Sequence, residues 1–212
     1  NRLYRPMAGK VYKMFPVETI RGCPFTCKFC NSPDQMRLYK GLGHNFYRKK
    51  RMDLVYKELK HFKEVHKVEY MYFWADTFLG MSTKELDEFC EIYSEINLPF
   101  WMQTRPETVT DYNMKSLSKV GLHRISFGLE HGNEKFRKEV LGRGWKNDDI
   151  IEKLRIPSQY GVSFSVNNIT GFPKETKKLA FDTIEINRHI QSDNQNIYSF
   201  VPFHGTPLRK LC

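Results

Sequence analysis

The sequence predicts an α/β fold in which six parallel strands alternate with helices and curl into a partial (β/α)6 barrel. Three observations carry that expectation. Short β-prone stretches alternate with helical apolar stripes along the chain, with no low-complexity linker between them. The 212 residues fall short of the roughly 250 that an eight-unit barrel takes. The unusual polar residues gather where the predicted strands end, which is where folds of this class place their chemistry.

The first strand is expected over Val11–Ile20, running directly into a cluster of cysteines. Leu54, Val55, Leu59, Phe62 and Val65 form one stripe of a helix over Met52–His66. Val68–Trp74 is short, aromatic and β-prone. Ser82 and Glu85 make a capping box that opens a helix burying Leu86, Phe89, Cys90, Tyr93 and Ile96. A third strand is expected over Pro99–Gln103, then a helix over Asp111–Val120 stopped by Gly121. Leu122–Leu129 is the fourth strand. Helical pieces follow near Asn133–Val140 and Asn147–Tyr160, the second expected to break at Pro157. Gly161 then punctuates, Val162–Ile169 is the fifth strand, Glu175–Ile190 a helix and Asn196–Val201 the sixth strand. Such an order implies right-handed crossovers. At the strand ends stand Cys23 to Cys30, Asp76 and Thr77, Gln103 and Arg105, Glu130, Asn167 and Asn168, and Pro202 to Gly205.

Hydrophobic residues make up 40% and aromatics 14% of the chain, enough for a sizeable core. The net charge of +10, from 34 basic against 24 acidic residues, favours acidic or phosphorylated partners. The densest basic run, Arg48 to Arg51, is too short to mark a nucleic-acid site. No apolar run approaches the roughly 18 residues of a membrane span, and no secretory signal is visible. The chain opens on Asn1 rather than methionine, so residues 1–212 are read as one core domain of a longer protein.

Three of the five cysteines crowd into Arg21-Gly22-Cys23-Pro24-Phe25-Thr26-Cys27-Lys28-Phe29-Cys30, which suits metal ligation better than a disulfide framework. The spacing Cys-x3-Cys-x2-Cys lets a short loop wrap three thiolates around three irons of a cubane. A complete protein set would be four, so one iron is left open for a ligand, by the logic that leaves catalytic zinc open. Structural zinc is the competing explanation, with His44 or Cys90 as a fourth ligand. The spacing is unlike paired zinc knuckles, and Cys90 sits on the apolar face of its helix.

The segment resembles the signature of the radical SAM superfamily. The resemblance implies a 4Fe-4S cluster on Cys23, Cys27 and Cys30, S-adenosylmethionine chelated by the open iron, and reductive cleavage to a 5′-deoxyadenosyl radical. It places Phe29, just before the last cysteine, by the adenine. Ala75-Asp76-Thr77-Phe78 stands where the family has its second-strand motif, making Asp76 and Thr77 contacts to the methionine amino group. Gly128-Leu129-Glu130-His131-Gly132 resembles the Gly-Leu-Glu-Ser-Gly motif after the fourth strand, with Glu130 at the methionine or ribose end and His131 in place of serine. Arg105 is placed to pair with the carboxylate as a planar fork. Gly171, in a segment similar to the fifth-strand motif, would let backbone approach the adenine, with Glu175 and Thr176 capping the next helix. Pro202-Phe203-His204-Gly205-Thr206-Pro207 resembles the sixth-strand ending. Trp74, Trp101, Asn168 and His204 are expected to line the substrate pocket.

Together the motifs look most like the subgroup often fused to a cobalamin-binding domain, in which methyl transfer is common. Any cobalamin would be carried by a domain outside this sequence. A reductant such as flavodoxin or ferredoxin is implied, as is a reducing cytoplasm, because an exposed cubane edge is oxygen-sensitive. The alternatives are a tRNA methylthiotransferase-like enzyme, which would need a second cluster and an RNA-binding tail, and a non-catalytic module holding zinc or S-adenosylmethionine.

Overall fold

The computed structural model describes residues 3–212. Its first strand, β1 (Tyr4–Met7), pairs antiparallel with β2 (Lys10–Val17). The two-residue connection, Ala8 and Gly9, has positive φ at both positions, as the tight hairpin turns that match strand twist require. The sequence predicts a single strand over Val11–Ile20; the structure ends β2 at Val17 and adds β1 ahead of it. The hairpin was hidden because Ala8 is not a usual residue for that conformation. After β2 the chain forms β3 (Ile20–Arg21), the cysteine loop, α1 (Ser32–Gly41) and β4 (Arg48–Lys49), which pairs antiparallel with β3. Helix α1 was not expected from periodicity, because it buries only Ser32 and has no apolar stripe. Pro33 and Asp34 in its first turn and Lys40 in its last favour it locally.

From there the strand–helix alternation is as expected: α2 (Met52–Glu64), β5 (Tyr70–Phe73), α3 (Thr83–Ile96), β6 (Phe100–Thr104), α4 (Asp111–Lys119) and β7 (Leu122–Glu130). Then come α5 (Glu134–Glu139), α6 (Asn147–Gln159), β8 (Ser163–Thr170), α7 (Lys177–Arg188) and β9 (Asn194–Ser199). The Ser82–Glu85 capping box is present with both of its reciprocal hydrogen bonds. Pro157 does not break α6. It lies inside the last turn, and the helix continues to Gln159. The carbonyl of Pro157 accepts from the N–H groups of Tyr160 and Val162, so the stop falls just beyond it.

The sheet order is β1-β2-β5-β6-β7-β8-β9, with β1 antiparallel and the other six parallel and in chain order. The two outer strands do not pair with each other, so the curled sheet is an open half-barrel. Alternation assigns the two faces. Met71, Phe73, Phe100, Met102, Ile125, Phe127, Phe164 and Val166 point outward and are buried under the helices. Phe73, Phe89, Tyr93 and Phe100 pack edge to face or offset there, with centroids 4.8 to 6.0 Å apart. The concave face carries Tyr70, Tyr72, Trp101, Gln103, Ser126, Ser165 and Asn167, a far more polar set. Among the described residues no helix is long and apolar enough to cross a membrane.

Candidate active site

The cysteine loop hangs over the C-terminal ends of the parallel strands. Gly22 opens it at φ +80, and a Cβ there would stand 2.9 Å from the ring of Phe46. The loop is clamped from two directions: the Lys28 N–H donates to Leu141 O at 3.0 Å, and the Leu208 N–H donates to Lys28 O at 3.3 Å. Lys28 Nζ also donates to Glu139 O at 2.7 Å.

The three thiols are half-buried and free. Cys23 Sγ lies 3.3 Å from Thr77 Oγ1, Cys27 Sγ accepts from Arg105 Nη1 at 3.6 Å, and Cys30 Sγ accepts from the Ser32 N–H at 3.4 Å. Burial pushes the Cys27 thiol up against the opposing pull of Arg143 and Arg105, and pushes Cys30 up to about 11. A metal binding there would displace protons. Cys90 packs against the main core from α3, and Cys212 is exposed at the chain end, so no fourth cysteine joins the loop.

Three thiols with no fourth cysteine beside them are the donor set that a cubane with one open iron would take. Among the described residues no three His, Cys, Asp or Glu side chains converge closely enough to hold a single metal ion. His44 stays exposed and supplies no fourth ligand.

Beneath the thiols lies a cleft of about 430 Å³. Cys23, Cys27, Phe29, Cys30, Asp76, Thr77, Arg105 and Glu130 all line it, although they come from the loop and three different strand ends. Phe29 has two duties, since its ring also packs against Phe172 at 5.9 Å. Asp76 accepts from Ser32 Oγ at 3.3 Å, and burial pushes its carboxyl up.

Glu130 sits at φ +73, where the β7–β8 register shifts. That rare backbone conformation for a side chain other than glycine aims its carboxylate into the cleft. Gly128 makes the room, because a Cβ there would coincide with Glu130 Oε1. Two residues absent from the sequence-based assignment complete the arrangement. Arg143 Nη1 donates to Glu130 at 3.1 Å and its Nη2 donates to Glu107 at 3.0 Å, while Arg105 holds Glu107 at 2.8 Å. The result is a balanced chain of two arginines and two glutamates. Burial alone would push Glu107 up, but Arg143 and then Arg105 outweigh it and hold the carboxyl at about 2. For Glu130 burial wins over the same two arginines, and its pKa is raised. A charged residue between glycines, Gly142-Arg143-Gly144, and Glu107 two residues past Arg105 were the available sequence signals.

Several assignments change. Gly171 does not line the cleft. Its φ of +83 turns the chain after β8, its N–H is taken by Glu175, and Ile169 supplies the wall instead. Glu175 does not cap α7. Thr176 does, while Glu175 turns back to accept from Phe172 N–H at 3.1 Å and from Thr170 Oγ1. His131 is fully buried. Its Nδ1 accepts from Asn133 N–H at 3.0 Å, so Nε2 carries the proton toward Glu175 Oε1 at 3.1 Å, away from the cleft. Asn168 faces α7 and bonds Asn187, and its neighbour Asn167 faces the cleft, a direct consequence of strand alternation. Trp74 and Trp101, expected at the substrate pocket, stand on the concave face beside the cleft, and His204 is exposed and does not line it.

Known proteins resemble this chain in sequence and fold. The chain is 26% identical over 193 residues to an uncharacterized methyltransferase of Pyrococcus horikoshii, covering 91% of this chain and 40% of that protein. It is 27% identical over 214 residues to the anaerobic magnesium-protoporphyrin IX monomethyl ester cyclase of Cereibacter sphaeroides, covering 98% of this chain and 33% of the cyclase. The chain thus spans two fifths or less of these curated relatives. Its fold is similar to that of TsrM, a radical S-adenosylmethionine methyltransferase from Kitasatospora setae solved with cobalamin and a [4Fe-4S] cluster, with a TM-score of 0.74 at 15% identity over 93% of this chain and 38% of that one. The family profile described as the Radical SAM superfamily matches residues 17–185, from the end of β2 into α7 and across every thiol and carboxylate of the cleft. This chain belongs to the radical SAM superfamily of enzymes.

Proposed function

We propose that this chain holds a four-iron four-sulfur cluster on Cys23, Cys27 and Cys30, binds S-adenosylmethionine in the cleft below, and serves a cobalamin-dependent methyl transfer in its parent protein. One observation carries the proposal: three half-buried thiols with no fourth cysteine open onto a single cleft holding a paired arginine–glutamate chain. The chemistry supplied there is one-electron cleavage of S-adenosylmethionine to methionine and a 5′-deoxyadenosyl radical.

The protein's own residues bind, orient and exclude. Arg105 is held flat, with its guanidinium 3.8 Å from the ring centroid of Phe25; its Nε and Nη2 are taken by Glu107, which leaves Nη1, beside Cys27, as the donor for a ligand carboxylate. Glu130 and Asp76 are the acceptors in the cleft for an ammonium or ribose hydroxyls. Phe29 and Ile169 give apolar walls for a flat base. Arg143 and Arg105 together balance the charges of Glu130 and Glu107 within the protein. The cobalamin part rests on the methyltransferase relatives, and the corrinoid would be held outside this sequence.

Anaerobic reconstitution with iron and sulfide, reduction and electron paramagnetic resonance test the proposal. The expected outcome is a reduced four-iron signal that changes when S-adenosylmethionine is added. Stoichiometric zinc with no cluster, or a cluster signal indifferent to S-adenosylmethionine, would overturn it.

A further inference from the structure

Beside the cleft the concave face carries a run of aromatic rings that no helix covers. Trp101 stacks on Tyr72 with centroids 4.1 Å apart and planes 3° from parallel. Tyr72 in turn meets Trp74 at 5.7 Å. Trp101 is buried, but Trp74 is 56% exposed, and Tyr198 on β9, which lines the cleft, is 54% exposed. The run joins the cleft physically, because Trp101 Nε1 donates to Ser126 Oγ at 3.2 Å and Ser126 is part of the cleft wall. A small groove in front of Tyr72 and Trp74 is completed by Met14, Pro16 and Arg5. Arg5 lies opposite Tyr12 across the β1–β2 hairpin, and so shares the concave face with Met14 and Pro16. It is the only charged residue lining that groove, and it forms no ion pair among the described residues.

We propose that this shelf recognises the substrate's flat aromatic ring system, with Trp74 and Tyr198 contacting the ring and Arg5 receiving an anionic group on it. The proposal rests on the reading that the adjoining cleft holds S-adenosylmethionine, and it names the substrate class for that site. Exposed indole and phenol rings gain most from a ring they can stack against. A cation could also sit on aromatic faces, but the groove presents Arg5 and no carboxylate. A saturated ligand would leave the ring geometry unused. Ser126, which Trp101 bonds, and Tyr198 line the same cleft, so the shelf and Tyr198 border one space. The basic balance of the chain points the same way.

Isothermal titration calorimetry with surrogate ligands tests this on the metal-free chain. The probes are 1-naphthoate, its saturated analogue decahydronaphthalene-1-carboxylate, and neutral 2-naphthol. Naphthoate is expected to bind roughly tenfold more tightly than the saturated acid, the scale of one or two ring–ring contacts. Trp74→Ala and, independently, Tyr198→Ala should each remove most of that preference; both side chains are exposed enough to truncate without disturbing the core. Arg5→Gln should weaken naphthoate several-fold and leave 2-naphthol unchanged. Equal affinity for the flat and saturated acids, or indifference to both ring truncations, would overturn the proposal. So would displacement of naphthoate by a single-stranded oligoribonucleotide with a steep salt dependence, which would assign the shelf to RNA. Neither cluster nor S-adenosylmethionine enters this titration. A cluster that responds to S-adenosylmethionine in a chain without ring preference sinks the substrate class alone. Ring preference in a chain that takes up no cluster leaves the shelf standing and sinks the cleavage reaction.

Discussion

Glu107 is 4% exposed at its side chain and lies between two arginine side chains, Arg143 at 3.0 Å and Arg105 at 2.8 Å. Its carboxyl is held at about 2 against an ordinary value of 4.5. A depressed carboxyl contributes stability that is fully present above the ordinary value and is lost as pH falls through the folded one. The contribution is on the order of 3 kcal/mol, and it disappears between about pH 4.5 and pH 2. Glu107→Gln leaves Arg105 without its partner and Arg143 with only Glu130. It should therefore cost roughly 3 kcal/mol at pH 7, by the rule for breaking a buried pair from one side. It should also flatten the acid limb of the stability curve. Urea unfolding at a series of pH values measures both, and an acid limb as steep as in the unaltered chain would contradict the assignment. These residues were illegible in the sequence for a reason. Glu107 and Arg143 are 36 positions apart, and only the placement of the loop after α5 against the end of β6 brings them together.

The elements differ in how much of their reason for existing is local. Helix α3 has all of it nearby. Ser82 accepts from the Glu85 N–H at 3.3 Å, Glu85 accepts from the Ser82 N–H at 2.7 Å, and Leu86, Phe89, Tyr93 and Ile96 form one buried stripe. Ser82→Ala should lower stability by about 1 kcal/mol, read as a shift of the unfolding midpoint with unchanged denaturant slope. Helix α1 is the opposite case. It has no apolar face, and it exists to carry the chain away from Cys30 and to place Asp34 where Gly205 leaves space for its carboxylate. The β1–β2 hairpin is not legible because Tyr4–Met7 carries no apolar alternation ahead of the strand expected from Val11, and Pro157 does not break α6 because only two helical residues follow it.

The half-barrel leaves β9 as an edge, with Ile197 60% exposed on its convex side. An open apolar edge invites pairing with another chain. Ile197→Lys should reduce self-association of the isolated chain, measured by sedimentation velocity, while moving stability by less than about 0.5 kcal/mol because that side chain is mostly exposed. Unchanged association would exclude this edge as its cause. The strand–helix order, the parallel half-barrel and the crowding of chemistry at the strand ends could all be read from the amino acids, because periodicity, caps and the cysteine spacing are local properties of a chain. The tertiary structure alone decided which neighbour of a pair faces the cleft, as with Asn167 and Asn168, whether His131 touches it, and which arginine neutralises Glu130. Those outcomes depend on strand register, on a positive φ at one residue and on contacts between segments far apart, and none of these is encoded within a few residues of the side chain concerned.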